Sequence, residues 1–174
     1  PGARFSDGVT LTSDDVVWTF DALKRDGEPY YQIILSNIES VEALDPLRVK
    51  FTFSPDANTR DLPATVGSVE ILPKHYYETH DFTRSTMDFP IGSGPYVIDS
   101  ADPGHSIRYC RNPEYWGADL PVNVGSDNYD CYLYEYFTDT TAAFEALKVG
   151  DYLFHEEYSS KIWATGYDFP ALTK

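Results

Sequence analysis

Apolar residues in the first part of the chain recur with helical spacing. In TSDDVVWTFDALKRDG, Val16, Phe20 and Leu23 fall at i, i+4 and i+7, one face of a helix. Thr12 is an N-cap by type, Asp15 three residues on completes a capping-box pattern, and Asp14 adds charge to the positive first turn. Gly27 stops the helix. The aromatic stretch Pro29-Tyr30-Tyr31 reads as loop or helix. A change to period two follows. Leu47, Val49, Phe51 and Phe53 alternate with Arg48, Lys50 and Thr52, and Asp45-Pro46 makes the turn of a hairpin whose other strand is Ile38 to Leu44.

Residues 54–90 are broken by Pro55, Pro63, Pro73 and Pro90. Helical turns are expected over Ala64 to Val69 and over Pro73 to Thr79, with Pro73 at N1. A domain boundary falls in the aperiodic DFTRSTMDFP, around residues 84–90. Strand patterns then run over Gly94 to Ser100, Ser106 to Arg111 and Tyr129 to Phe137, the last rich enough in tyrosine for both faces to be partly covered. Thr138-Asp139-Thr140 caps a helix with Ala143, Phe144 and Leu147 on its apolar face and Gly150 at its end. A short strand at Tyr152 to Phe154 and a last helix from Ser159 or Ser160 through Trp163 complete the order. Helices interleaved with strands predict an α/β or α+β fold, not a bundle or a sandwich.

Composition narrows the partners. The 174 residues hold 28 Asp and Glu against 13 Lys and Arg, a net charge of −15. With 42% hydrophobic and 16% aromatic residues, the chain is too apolar for an acidic disordered tail. Nucleic acid is excluded as a partner because phosphate binding needs a basic face, and docking on anionic lipid is disfavoured for the same reason. No run approaches the ~18 apolar residues of a membrane span. The opening Pro1-Gly2-Ala3-Arg4 is followed by no apolar core, so it does not read as a signal peptide; the chain begins as a mature protein or partway through a longer one. Cys110 and Cys131 lack zinc-site spacing, and both lie in strand-like stretches, where they either pair across a sheet or stay buried thiols.

Catalytic patterns are missing. Gly92-Ser93-Gly94-Pro95 has glycines, but Pro95 removes an amide donor and no Lys-Ser/Thr follows, so it is no phosphate loop. His75 and His80, with Glu78 and Asp81 nearby, are five apart, where two ligands on one helical face need four. A polar helix end explains them better than a metal. Asp14-Asp15 fits the helix cap, and Glu156-Glu157 fits a solvated loop. No cofactor is implied. What the chain holds in quantity is aromatic side chains with polar tips, 14 tyrosines with Trp18, Trp116 and Trp163, a type suited to ligand clefts as well as cores. Pro29-Tyr30-Tyr31 stands out because it lacks core periodicity.

Six segments now stand in order: RFSDGVTLTSDDVVWTF, VEALDPLRVKFTF, LPKHYY, GSGPYVI, RNPEYWG and AAFEALKVGDY. Together they resemble the extracellular solute-binding proteins, family 5, of oligopeptide and dipeptide ABC transporters. The sequel EEYSSKIWATGYDFPAL looks like the subgroup that imports longer peptides and peptide–nucleotide antibiotics of the microcin C kind. The resemblance implies a two-lobed periplasmic-binding-protein type II fold that closes on an extended peptide, in the periplasm or tethered at the cell surface by a lipid anchor. It implies delivery of the peptide to a membrane permease by a monomer without enzymatic activity. Related binding proteins for an oligosaccharide, nickel chelate or opine are the alternative within the family; a carbohydrate-active enzyme domain is the alternative outside it.

Members of that family are far longer. The likeness therefore implies an internal piece, with the export signal and first ligand-contacting strand before Pro1 and the second lobe after Lys174. Residues 1–84 resemble the small extra domain, and residues 85–174 the middle of the first lobe with the start of the crossing near Tyr158. Tyr30 or Tyr31 matches the place of a tyrosine that lines the peptide cleft in relatives. Trp163 lies near the crossing, as a ligand contact, a hinge or a core residue. Gly94 and Pro95 would shape a strand entry, and Trp116 would pack a core.

Overall fold

The computed structural model describes residues 2–169. Helix α1 (Ser13–Asp26) is the spine of the first half. Phe20 and Leu23 on its apolar face are buried and meet Leu35, Ile38 and Val69 in a core that Val16, Tyr31, Phe51, Phe53 and Phe82 flank. The same helix buries a polar stripe. The Asp15 carboxylate accepts the Thr12 amide at 2.8 Å and hydroxyl at 3.1 Å, closing the first turn. Its other oxygen accepts the Lys74 amide at 3.0 Å, and the Thr19 hydroxyl accepts the Leu72 amide at 3.0 Å while donating to the Asp15 carbonyl. Side chains of α1 thus satisfy backbone of a segment nearly sixty residues on, which is why irregular chain can lie against it.

Helix α2 (Pro29–Ile34) follows at once, with Pro29 at its start. Strands β1 (Ile38–Asp45) and β2 (Arg48–Phe53) form the expected antiparallel hairpin, with Val41 opposite Phe51 and Ala43 opposite Val49. Phe51 and Phe53 turn toward the core, and Phe51 meets Phe20 edge-on at 5.0 Å. Leu47, expected on that face, is 65% exposed because it sits in the turn, ahead of the first β2 residue. The turn is pinned to α1: the Ser13 amide and hydroxyl donate to the Pro46 and Asp45 carbonyls at 3.0 and 2.6 Å. Helices α3 (Leu62–Gly67) and α4 (Lys74–Tyr77) are short. Pro73 is the N-cap of α4, not its N1 residue; its ψ of 104° is extended, so the helix begins one residue later.

Strands β3 (Tyr96–Asp102), β4 (Ser106–Arg111) and β5 (Cys131–Glu135) make a second sheet in the order β3-β4-β5. Gly104, at φ 79°, turns the chain between β3 and β4 in a conformation that side chains resist. Strand β5 is shorter than its alternation predicted, and Leu133, Tyr134 and Tyr136 are exposed; among the described residues β5 is the last strand of the sheet. Trp116 does not pack a core. It is 37% exposed and held by a hydrogen bond from its Nε1 to the Ser93 carbonyl at 2.9 Å.

Helix α5 (Thr140–Val149) is capped by Asp139, whose carboxylate accepts the Ala142 amide at 2.8 Å, and ends at Gly150 in the left-handed conformation, φ 85°. Residues 152–154 form no strand: Leu153 and Phe154 face solvent, and the Tyr152 hydroxyl donates to the Ala143 carbonyl at 2.8 Å. Ser159 caps α6 (Ser160–Thr165), accepting the Ile162 amide at 3.3 Å. By internal contacts the chain divides into two compact units. One holds everything up to Asp99 together with Tyr109–Tyr132, and the other holds Ser100–Arg108 and everything described from Leu133 onward. In the second unit, Phe144 is the buried centre, ringed by His155, Tyr167 and Phe169 with centroids 5.2–6.2 Å away.

Candidate ligand-binding site

Consecutive residues of one helical turn cannot face the same way, and α2 separates its two tyrosines accordingly. Tyr31 turns inward and packs on the Phe20–Leu35–Ile38 cluster. Tyr30 is 64% exposed, and so is Ile33, which lies three residues on along the same face. The rings of Tyr30 and Tyr31 meet edge-to-face at 5.6 Å, so the half-buried ring supports the exposed one. The helix is held at its start by the Gln32 side-chain amide, which donates to the Gly27 carbonyl at 3.1 Å. An exposed phenol backed by a packed, half-buried ring supplies stacking area and a hydrogen-bond group on a fixed base.

Trp163 lies in the other unit, on α6, and is 69% exposed. Its ring meets Tyr167 at 5.2 Å, and Tyr167 packs in turn on Phe144. Burial, with the nearby Glu157 charge, pushes the Tyr167 phenol above its ordinary value. Tyr30 and Trp163 are thus each an exposed aromatic on a helix, backed by a second ring. Cys110 at the end of β4 and Cys131 at the start of β5 are joined in a disulfide with Cα atoms 4.0 Å apart. Beside it, the Arg111 amide donates to the Asp130 carbonyl at 2.8 Å.

The two histidines of KHYYETHD have separate structural partners. His75 Nε2 lies 2.7 Å from Asp7 in the SDG turn. His80 stacks on Tyr76 at 4.0 Å, with its Nδ1 2.8 Å from the Tyr76 carbonyl. Among the described residues no group of three or more His, Cys, Asp or Glu is placed to hold a metal ion. Nor is any helix among the described residues long and apolar enough to cross a membrane.

One group escaped sequence reasoning. Glu157, expected in a solvated loop, is buried: one oxygen accepts the Ser159 amide at 2.6 Å, and the other lies 3.6 Å from His155 Nε2. His155 Nδ1 lies 2.8 Å from the Tyr152 hydroxyl. Burial, then the Tyr167 and Glu157 charges, raises the Tyr152 phenol. The pattern HEEYSS carries one signal for this, a glutamate two residues before the cap serine of α6. Nothing local distinguishes it from the exposed Glu156 beside it.

The described residues thus form two small sheets with helices beside them, the mixed helix-and-sheet class expected from the sequence. Comparison with known proteins agrees. Residues 1–174 match the family "Bacterial extracellular solute-binding proteins, family 5 Middle". A relative from Brucella melitensis is 41% identical over 173 residues, which is 99% of this chain and 28% of its own length. "Probable peptide-binding protein YejA" of Agrobacterium fabrum is 38% identical over 177 residues, 98% of this chain and 28% of its own. Among solved structures, the oligopeptide-binding protein AppA of Bacillus subtilis in complex with a nonapeptide superposes with a TM-score of 0.72 and 27% identity, over 97% of this chain and 33% of its own. The chain belongs to the extracellular solute-binding proteins of family 5, and spans a little over a quarter of the length of the curated relatives it matches.

Proposed function

We propose that the protein carrying this chain is the substrate-binding component of an ABC importer, which takes up extended peptides outside the membrane and delivers them to a permease. The observation that carries this reading is the match to the family over the whole chain, joined by a nonapeptide-bound relative that superposes on nearly all of it. It acts as a monomeric binder rather than an enzyme, in the periplasm or lipid-anchored at the outer face. Residues 1–84 are the small extra domain, and residues 85–174 the middle of the first lobe leading into the crossing.

Tyr30 is the cleft residue of the pair, since Tyr31 is spent on the core. It lies against the peptide backbone, and Trp163 contributes a second aromatic surface near the crossing. The whole protein, purified without denaturation, should carry masses of peptides in native mass spectrometry, and calorimetry with unrelated peptides of five to fifteen residues should give heats of binding. Binding of an oligosaccharide, nickel chelate or opine with no affinity for any peptide would overturn the reading.

A further inference from the structure

In the first unit, far along α1 from the cap, an open cavity of about 550 Å³ is lined by aromatic rings and rimmed by polar groups. Its wall is Trp18, Tyr77 and Phe82. Trp18 and Tyr77 lie 6.1 Å apart and nearly parallel at 12°, while Phe82 meets both edge-on at 6.1 Å. All three are half-buried, so each is fixed by packing and still offers a surface. A volume of this size falls within the range of small-ligand sites, roughly 300–1,000 Å³.

The rim decides what such a site would take. Asp26 is paired with Arg25 Nε at 2.6 Å, and Asp81 with Arg84 Nε at 3.2 Å. Each carboxylate is already paired with its own arginine, so neither stands as a bare anion at the mouth. It nevertheless keeps both kinds of hydrogen-bonding group. The Arg25 Nη groups make no hydrogen bond among the described residues and can donate. Asp81, held below the ordinary carboxylate range by the Thr83 hydroxyl and amide, accepts. His80 also lines the mouth, its Nδ1 2.8 Å from the Tyr76 carbonyl and 3.0 Å from the Thr79 hydroxyl.

We propose that this cavity is a binding site for a neutral sugar ring of the pyranose class. Such a ring stacks its C–H face on the Trp18–Tyr77 wall. Its hydroxyls donate to Asp81 and accept from Arg25 at the same time, which a charged ligand cannot do without an unpaired charge. The shallow mouth leaves one face of the ring in water, and the affinity is correspondingly weak, on the order of a millimolar dissociation constant. The site is formed by residues other than Tyr30, Tyr31 and Trp163, and does not depend on which solute fills the proposed cleft.

Saturation-transfer NMR on the whole protein with methyl α-D-glucopyranoside, methyl α-D-mannopyranoside and N-acetylglucosamine tests it. Transfer to ring C–H protons is expected from at least one of them, and should persist when a bound peptide occupies the cleft. Arg25→Ala, an exposed rim change, should weaken the signal at least about tenfold, the effect of one lost hydrogen bond to a charged group. Trp18→Leu should remove it, with the circular-dichroism melt confirming that this variant is folded. No transfer from any of the three sugars overturns the proposal. So does transfer that survives both substitutions, which places the sugar elsewhere, or preferential binding of acetate or methylammonium as charged probes. Failure of these arms leaves the peptide reading standing, and failure of peptide binding leaves this one standing.

Discussion

Tyr30 and Tyr31 are chemically identical neighbours in different surroundings, and substitution should separate them. Tyr31→Ala removes a ring from the core cluster and should cost about 3 kcal/mol of stability, read as a denaturant midpoint shift. Tyr30→Ala should leave stability within about 0.5 kcal/mol and weaken peptide binding by the whole protein about tenfold, the worth of one aromatic contact with its hydrogen bond. Equal effects of the two on stability would contradict the assignment.

Asp7 offers a pH test at the same scale. Burial raises its carboxyl, but the His75 hydrogen bond, the Val9 amide and the His75 charge outweigh this and hold it below its ordinary value. A depressed folded value means that the unfolded chain binds the proton more readily, so the contribution is present above the ordinary carboxylate range, near ~4, and is lost as pH falls through the lower folded value. Melting temperatures of Asp7→Asn and the natural protein should therefore differ at neutral pH and converge toward pH 3. A constant offset across that range would show that Asp7 acts by packing alone.

Among elements, α1 carries the most information beyond its own length. Asp15 closes its first turn and receives the amide that starts α4, whereas Asp14 beside it is exposed. Asp15→Ala should destabilise by about 3 kcal/mol, since it orphans more than one buried donor, and Asp14→Ala by well under 1 kcal/mol. The disulfide between β4 and β5 closes a loop with a sequence separation of 21 residues. Replacing both cysteines by serine should lower stability by about 3 kcal/mol through the freedom returned to the unfolded chain. Non-reducing mass spectrometry should show the bridged protein about 2 Da lighter than the reduced one, the two thiol hydrogens lost when the bond forms. Two alkylatable thiols in the oxidised protein would remove the bridge.

At the scale of the whole molecule, charge dominates. A net −15 on 174 residues sets up a field that reaches about 30 Å at 0.01 M salt and about 8 Å at 0.15 M. Association of lysine-bearing peptides with the whole protein should slow severalfold between those salts, while that of acidic peptides should not; stopped-flow fluorescence would show it.

Much of this was legible in the chain because it depends on local physics. Helices α1, α5 and α6, with caps at Thr12, within Thr138-Asp139-Thr140 and at Ser159 or Ser160, and the β1–β2 hairpin follow from periodicity and turn chemistry, which act within a few residues. The family is written in the order of six motifs, and the match over residues 1–174 bears that out. Tertiary structure decided what depends on distant partners. Tyr31 turned inward because Phe20 and Ile38 were there to meet it, and Glu157 was buried because His155 and the α6 cap received it. Residues 152–154 stayed out of the sheet while the Tyr152 hydroxyl bonded the Ala143 carbonyl of α5, and an aromatic wall arose where α1 met residues 77–82. A side chain's type constrains what it can bond, but only the folded chain brings the partner within reach.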